Sequence, residues 1–322
     1  MKKFLALALC LLMVIPAVFV GCAKADDAKV KFGAAVYVSA PSTTDATEDK
    51  NGSGKLDVTV AAVTVDKDGK IVACALDTAS STVNFTADGE AVAAGEFKTK
   101  YELGTGYNMV AYGGATKEWF EQADAFETVV AGKTLAEVKA LVAGEGDVLA
   151  AGCTIAIGEF VGAIEKAYNA ATVEVDAKAT VKVNIATEAA GTDATEDKDG
   201  STKLTVNVFA AAVGADGKIA AATSDCVEVS FTFNTNGAST LDTTKAVLSK
   251  RELGFDYNMV KYGGAAKEWF EQANAFDAAC VGKTVAEIEA FAGADGYGNA
   301  DLQTAGCTMA VSGFTKAASK LK

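Results

Sequence analysis

Much of this chain occurs twice, and that repetition restricts its architecture more than any other feature. Asp45-Ala-Thr-Glu-Asp-Lys50 returns as Asp193-Ala-Thr-Glu-Asp-Lys198, and Asp68-Gly69-Lys70-Ile71 as Asp216-Gly217-Lys218-Ile219. Tyr107-Asn108-Met109-Val110 returns as Tyr257-Asn258-Met259-Val260. Lys117-Glu-Trp-Phe-Glu-Gln-Ala123 returns as Lys267-Glu-Trp-Phe-Glu-Gln-Ala273. The period is far longer than a solenoid unit, so the pattern reads as one duplicated domain. The boundary falls near Ala171. No Pro- or Ser-rich linker marks it, so the two copies are expected to pack closely.

Each copy reads in the same order. A first strand is expected over Val30–Ser39, and over Ala179–Ala186 in the second copy. After an acidic, Gly-containing loop, Leu56–Val65 is rich in β-branched residues and partly alternates. Asp68-Gly69 supplies a hairpin turn. A return strand is read at Lys70–Leu76 and another at Ser81–Thr86. Their counterparts are Leu204–Val213, Asp216-Gly217, Ile219–Thr223 and Val227–Phe233. Trp119, Phe120, Ala123, Phe126, Val129 and Val130 then share one helix face. Gly132 stops that helix. Thr134 and Glu137, like Thr284 and Glu287, form the capping box of a short second helix, read at Leu135–Val142 in the first copy. A short strand around Thr154–Ile157 and a terminal helix complete the unit. The expected class is α+β: two tandem copies of an antiparallel-sheet domain with helices packed on it.

The chain opens Met1-Lys2-Lys3, runs apolar from Phe4 to Val20, and continues Gly21-Cys22. A basic start, an apolar stretch and a small residue before a cysteine make a lipoprotein export signal rather than a spanning helix. Residues 1–21 are therefore read as signal peptide, with Cys22 as the lipidated first mature residue. Domain 1 is read over 22–171 and domain 2 over 172–322, about 150 residues each and enough to bury a core. The expected location is the extracellular face of the cell membrane, held by the lipid anchor. Net charge is −13, and cleavage would remove two lysines and no acid. An acidic surface argues against nucleic acid as a partner.

The chain has no histidine. That removes Ser-His and Cys-His nucleophile pairs, C-x-x-C-H haem attachment and the usual histidine zinc sites. Of seven cysteines, Cys10 leaves with the signal and Cys22 carries lipid. Cys74, Cys153, Cys226, Cys280 and Cys307 are an odd set without a C-x-x-C, and they read as buried small apolar residues. The acidic loops Asp45–Gly54 and Asp193–Gly200 hint at calcium, but they lack the terminal bidentate acid of a calcium loop. A solvated turn is the plainer reading.

The strongest functional lead is Ala151-Gly152-Cys153-Thr154, repeated as Ala305-Gly306-Cys307-Thr308. Each precedes an apolar-periodic helix. A hydroxyl among small neighbours ahead of a helix start can hold a phosphate, because free backbone N–H groups and the helix dipole favour anions there. A threonine on a short strand is the plainer alternative. Gly113-Gly114-Ala115-Thr116 offers a competing hydroxyl, but its counterpart ends in Ala266 and it precedes the wrong helix.

The element order, the Asp-Gly-Lys-Ile hairpin, the Trp-containing helix, the Gly-Lys-Thr stop and the final small-small-small-Thr segment resemble the bacterial FMN-binding domain family. The likeness is closer to the tandem-domain flavinylated lipoproteins of Gram-positive extracellular electron transfer. It covers nearly all of the mature chain. In that family a flavin transferase joins FMN through a phosphoester to the threonine of a Ser-Gly-Ala-Thr type motif. The resemblance implies two covalent FMN groups, on Thr154 and Thr308, with Gly152 and Gly306 as the motif glycines. Tyr107, Met109, Tyr257 and Met259 correspond to the family's flavin-lining loop. Ala151 and Ala305 stand where the family has serine, and Cys153 and Cys307 where it has alanine. The upstream acids, Asp147 and Asp301, lie one residue further out than usual. The two cysteines either fill the alanine position or form thiol–flavin adducts. Trp119 and Trp269 read as core or as stacking partners of the ring.

The implied function is a lipid-anchored electron-transfer flavoprotein, more an electron carrier than a substrate-specific enzyme. The flavin transferase is one implied partner. A membrane quinone-linked donor and soluble extracellular acceptors are the others. The rival is a cell-surface binding or adhesion lipoprotein that kept the fold and lost the flavin.

Overall fold

The structure is a computed structural model that describes residues 28–321. The signal segment and Cys22 lie outside the described residues. The first half runs β1 (Lys29–Val38), β2 (Ser42–Thr44), β3 (Gly52–Val65), β4 (Ile71–Phe85), α1 (Lys100–Leu103), a 3-10 turn (Gly104–Tyr107), α2 (Met109–Gly113), α3 (Trp119–Val130), α4 (Leu135–Lys139), α5 (Gly146–Ala151) and α6 (Gly158–Asn169). The chain continues with β5 (Val173–Asp176), β6 (Thr180–Thr192), β7 (Gly200–Val213), β8 (Ile219–Phe233), α7 (Lys250–Leu253), a 3-10 turn (Gly254–Tyr257), α8 (Met259–Gly263), α9 (Trp269–Cys280), α10 (Val285–Glu289), α11 (Ala300–Ala305) and α12 (Ser312–Ser319). The class is mixed α and β, with one five-stranded and one three-stranded sheet, both antiparallel.

The two sheets lie face to face, and each carries helices on its outer face. Side-chain alternation decides which residue serves which layer. On β3, Ala61, Val63 and Val65 turn outward to Trp119, Phe126, Phe160 and Ile164 of the helices. Val58 and Val60 turn inward to Leu204, Val206 and Val208 of β7. Both faces of β3 are covered, so every residue from Val58 to Val65 is buried. That is why Leu56–Val65 reads as a near-continuous apolar run with only partial alternation. Each half thus has its own helix-side core, and the halves also share a second core between the sheets.

Contacts across the halves are reciprocal between residues that correspond in the repeat. Ala46 N donates to the Gly237 carbonyl (2.8 Å) and Ala194 N to the Gly89 carbonyl (2.7 Å). Asp193 Oδ1 accepts from Ala91 N, and Asp45 Oδ1 from Ser239 N, each at 2.8 Å. Phe85 and Phe233 stack with centroids 4.5 Å apart and planes 9° from parallel. Lys320 pairs with Glu102 at 2.8 Å, and Lys166 with Glu252. The first acid of each acidic loop is therefore part of a clasp between the halves. Among the described residues no three or more Cys, Asp or Glu side chains converge as a metal site.

Several elements differ from the sequence expectations. The return strand and the strand after it are one, Ile71–Phe85, and likewise Ile219–Phe233. The polar interior of β4 is tolerated because it is satisfied. Thr78 Oγ1 bonds Thr59 Oγ1 (2.8 Å), Ser80 Oγ donates to Asp57 (2.5 Å), and Asp77 Oδ1 accepts from Tyr101 N (3.2 Å). No strand forms around Thr154–Ile157, since no neighbouring strand offers a ladder there. Helix α4 ends at Lys139, not Val142. Strand β5 pairs with β1 through Lys29↔Asp176 to Phe32↔Val173, so the first sheet extends beyond Ala171.

Gly33 on β1 lies directly under α6, and a Cβ there would collide with the Ala167 carbonyl and the Ala171 backbone. Neither obstacle is a flexible side-chain tip. Gly33→Ala is expected to cost about 1–3 kcal/mol, read as a lowered urea midpoint with unchanged slope. An unshifted midpoint would contradict this close approach.

Candidate functional site

The repeated Lys-Glu-Trp-Phe-Glu-Gln-Ala motif builds the site, and each polar member has a separate task. Trp119 is only 4% exposed and meets Phe160 edge-on at 5.7 Å, so it belongs to the core; Trp269 does the same against Phe314. Glu118 accepts from the N–H groups of Met109 (2.9 Å) and Val110 (3.3 Å), which are free donors at the start of α2. Glu121 closes a capping box on Glu118. Gln122 is buried and reaches the threonine loop. Its Oε1 accepts from Thr154 N (2.8 Å) and Thr154 Oγ1 (3.0 Å), while its Nε2 donates to the Lys117 carbonyl (3.0 Å).

The second half repeats this. Gln272 Oε1 accepts from Thr308 N (2.8 Å) and Thr308 Oγ1 (3.1 Å), and its Nε2 donates to the Lys267 carbonyl (3.2 Å). That Nε2 also lies 3.5 Å from Met259 Sδ, which joins Met259 to the Thr308 site. Met109 packs on the first helix-side core beside Tyr107. Lys100 Nζ lies 5.6 Å from the Tyr107 ring centre and 5.6 Å from that of Trp119. Lys250 lies 4.9 Å from Tyr257 and 5.6 Å from Trp269. Asn108 and Asn258, left-handed at φ 61° and 57°, turn the chain between the tyrosine and the methionine.

The threonine loop itself is a helix C-terminus. Gly152 caps α5 at φ 86° and Gly306 caps α11 at φ 95°, a backbone region in which any side chain is strained. Lys117 Nζ donates to the Ala151 carbonyl (3.0 Å) at the negative end of α5. It also lies so close to Gly152 that a Cβ there would meet it, and Lys267 lies in the same way against Gly306. Cys153 and Cys307 point into the helix-side cores and are fully buried, whereas Thr154 and Thr308 are exposed. Burial pushes both thiols up, Cys307 to about 11. They stay protonated at neutral pH, so the structure favours packing over adduct formation.

Thr154 does not directly abut a helix start. Ile155 and Ala156 lie between it and Ile157, the N-cap of α6, and its own N–H is already bonded to Gln122. What the site offers a phosphoester is an exposed hydroxyl, small neighbours and a lysine amine beside the loop. Thr116 sits in the loop between α2 and α3, immediately before Lys117. The sequence reading missed Gln122, Gln272, Lys117 and Lys267. Their one sequence signal is exact repetition within the Lys-Glu-Trp-Phe-Glu-Gln-Ala motif, which does not say what each side chain holds.

No protein-family model, no curated protein and no solved structure matches this chain.

Proposed function

We propose that the chain is two tandem copies of one domain, each carrying FMN by a phosphoester on its threonine, Thr154 and Thr308. The supporting observation is the pair of equivalent loops. In each, an exposed threonine has its hydroxyl held by a buried glutamine and a lysine beside it, while the adjacent cysteine is turned into the core. The bound flavin would supply one- and two-electron redox chemistry. The protein's own part is to present the hydroxyl to a flavin transferase, to keep the loop rigid through the glutamine, and to offset phosphate charge with Lys117 and Lys267. Tyr107, Met109, Tyr257 and Met259 provide the nearby apolar surface. With the lipid anchor read at Cys22, the protein is a tethered electron carrier between a membrane quinone-linked donor and soluble extracellular acceptors.

Intact-mass measurement after co-expression with a flavin transferase tests this. Two FMN additions are expected, with one lost in Thr154→Ala and one in Thr308→Ala. An unmodified mass and a colourless protein would overturn the reading. A binding or adhesion lipoprotein would then stand, favoured by Tyr112 and Tyr262, which occupy corresponding positions on α2 and α8 and are 88% and 76% exposed.

A further inference from the structure

The two halves differ at a partly buried polar cluster. In the second half, Arg251 lies in the first turn of helix α7 and each of its guanidinium nitrogens is hydrogen-bonded. Nη2 meets Asp277 Oδ2 (2.6 Å), Nη1 meets Asn274 Oδ1 (2.7 Å), and Nε donates to the Ser224 carbonyl (2.5 Å). Asp277 also accepts from Ser224 N at 2.9 Å, and Asp225 Oδ1 accepts from Arg251 N at 3.2 Å.

The first half has the same frame without the cation. Leu76 N donates to Glu127 Oε1 (2.7 Å) as Ser224 N does to Asp277. Tyr101 N donates to Asp77 Oδ1 (3.2 Å) as Arg251 N does to Asp225. Asp124 replaces Asn274, and Tyr101 replaces Arg251, with its hydroxyl 3.1 Å from Asp124 Oδ1. The first half therefore holds three carboxylates where the second holds two and a guanidinium. Beside them lies a cavity of ≈ 610 Å³, walled on the far side by Val181 and Val183 of β6. The corresponding cavity beside Arg251 measures ≈ 410 Å³.

We propose that this cavity binds a small organic guanidinium, whose head takes the place that Arg251 occupies in the second half. The head bonds Glu127 and Asp124, and the aliphatic body lies along Tyr101, Leu76 and the β6 valines. Burial, with the like charges of Asp124 and Asp77, opposes ionisation of Glu127, and an entering cation supplies the counter-charge that its ionised form lacks. Glu102 faces the same cavity but is paired with Lys320, and Lys182 stands on the opposite wall. Because burial holds Glu127 at about 8, binding at neutral pH displaces its proton and tightens as pH rises towards 9.

Titration calorimetry of the mature chain with agmatine tests the proposal, with n-butylurea as the uncharged control. One saturable agmatine site, proton release that scales with buffer ionisation heat, and no butylurea binding are expected. Glu127→Gln should weaken agmatine by at least about tenfold. Tyr101→Arg, which supplies the chain's own guanidinium, should abolish binding while keeping the thermal transition at or above the parent's. If Tyr101→Arg does not fold, Asp124→Asn replaces it and should also weaken binding. Absence of saturable agmatine binding, equal binding of butylurea, or binding untouched by these substitutions would overturn it.

Discussion

Val206→Asp is expected to destabilise the whole chain rather than the second half alone. Val206 is fully buried between the sheets, among Val58, Val60 and Leu56 of the first half. An unpaired carboxylate there has no counter-charge and no hydrogen-bonding partner suited to it. The expected loss is on the order of 4 kcal/mol, a large part of the stability of a domain. Each helix layer contains one tryptophan, Trp119 or Trp269. The variants Trp119→Phe and Trp269→Phe therefore report on one half at a time during urea unfolding. Both should show one coincident transition, and Val206→Asp should move both midpoints together. A first half that keeps its midpoint while the second unfolds would show that the inter-sheet core does not couple them.

Stability is expected to fall as pH rises from about 4.5 to about 8. Burial pushes Asp77 to about 7 and Glu127 to about 8, the latter helped by the charges of Asp124 and Asp77. Burial also raises Asp277 to about 7, against the pull of Arg251. A carboxyl whose folded pKa lies above its unfolded value keeps its proton longer in the folded chain. Its contribution is therefore complete at low pH and is lost as pH climbs through the folded pKa. The net charge of −13 adds self-repulsion in the same direction. Glu127→Gln preserves an acceptor for Leu76 N and removes the ionisation. It should stabilise the chain by on the order of 2 kcal/mol at pH 8.5 and change little at pH 4.5, as measured by urea unfolding at both values. A variant less stable than the parent at pH 8.5 would contradict this burial of an ionising group.

The threonine loops were legible because glycine, cysteine and threonine each have a distinct local requirement. Gly152 and Gly306 adopt positive φ at a helix end, the cysteines fill a small apolar space, and the threonines remain outside. The capping boxes at Thr134 and Thr284 formed as read, since their bonds span three residues and need no tertiary partner. The ties from Gln122 and Gln272 were not legible. They join segments separated by more than thirty residues, and a glutamine carries no local sign of which loop it will hold. The long strand β4 was hidden for a similar reason. Its central Asp77-Thr78 resembles a turn until Thr59 and Tyr101 satisfy it from elsewhere in the chain.

By itself the sequence determined the duplicated motif order, the antiparallel hairpins turned by Asp-Gly, the apolar face of each long helix and the paired threonines. All are set by interactions within a few residues or by a repeating period. The tertiary structure alone decided that the two sheets cover each other, that β5 joins the first sheet, and that Arg251 fills a cluster which Tyr101 leaves open. A period of two tells which side chains share a face of a strand. What covers that face depends on where distant segments come to rest.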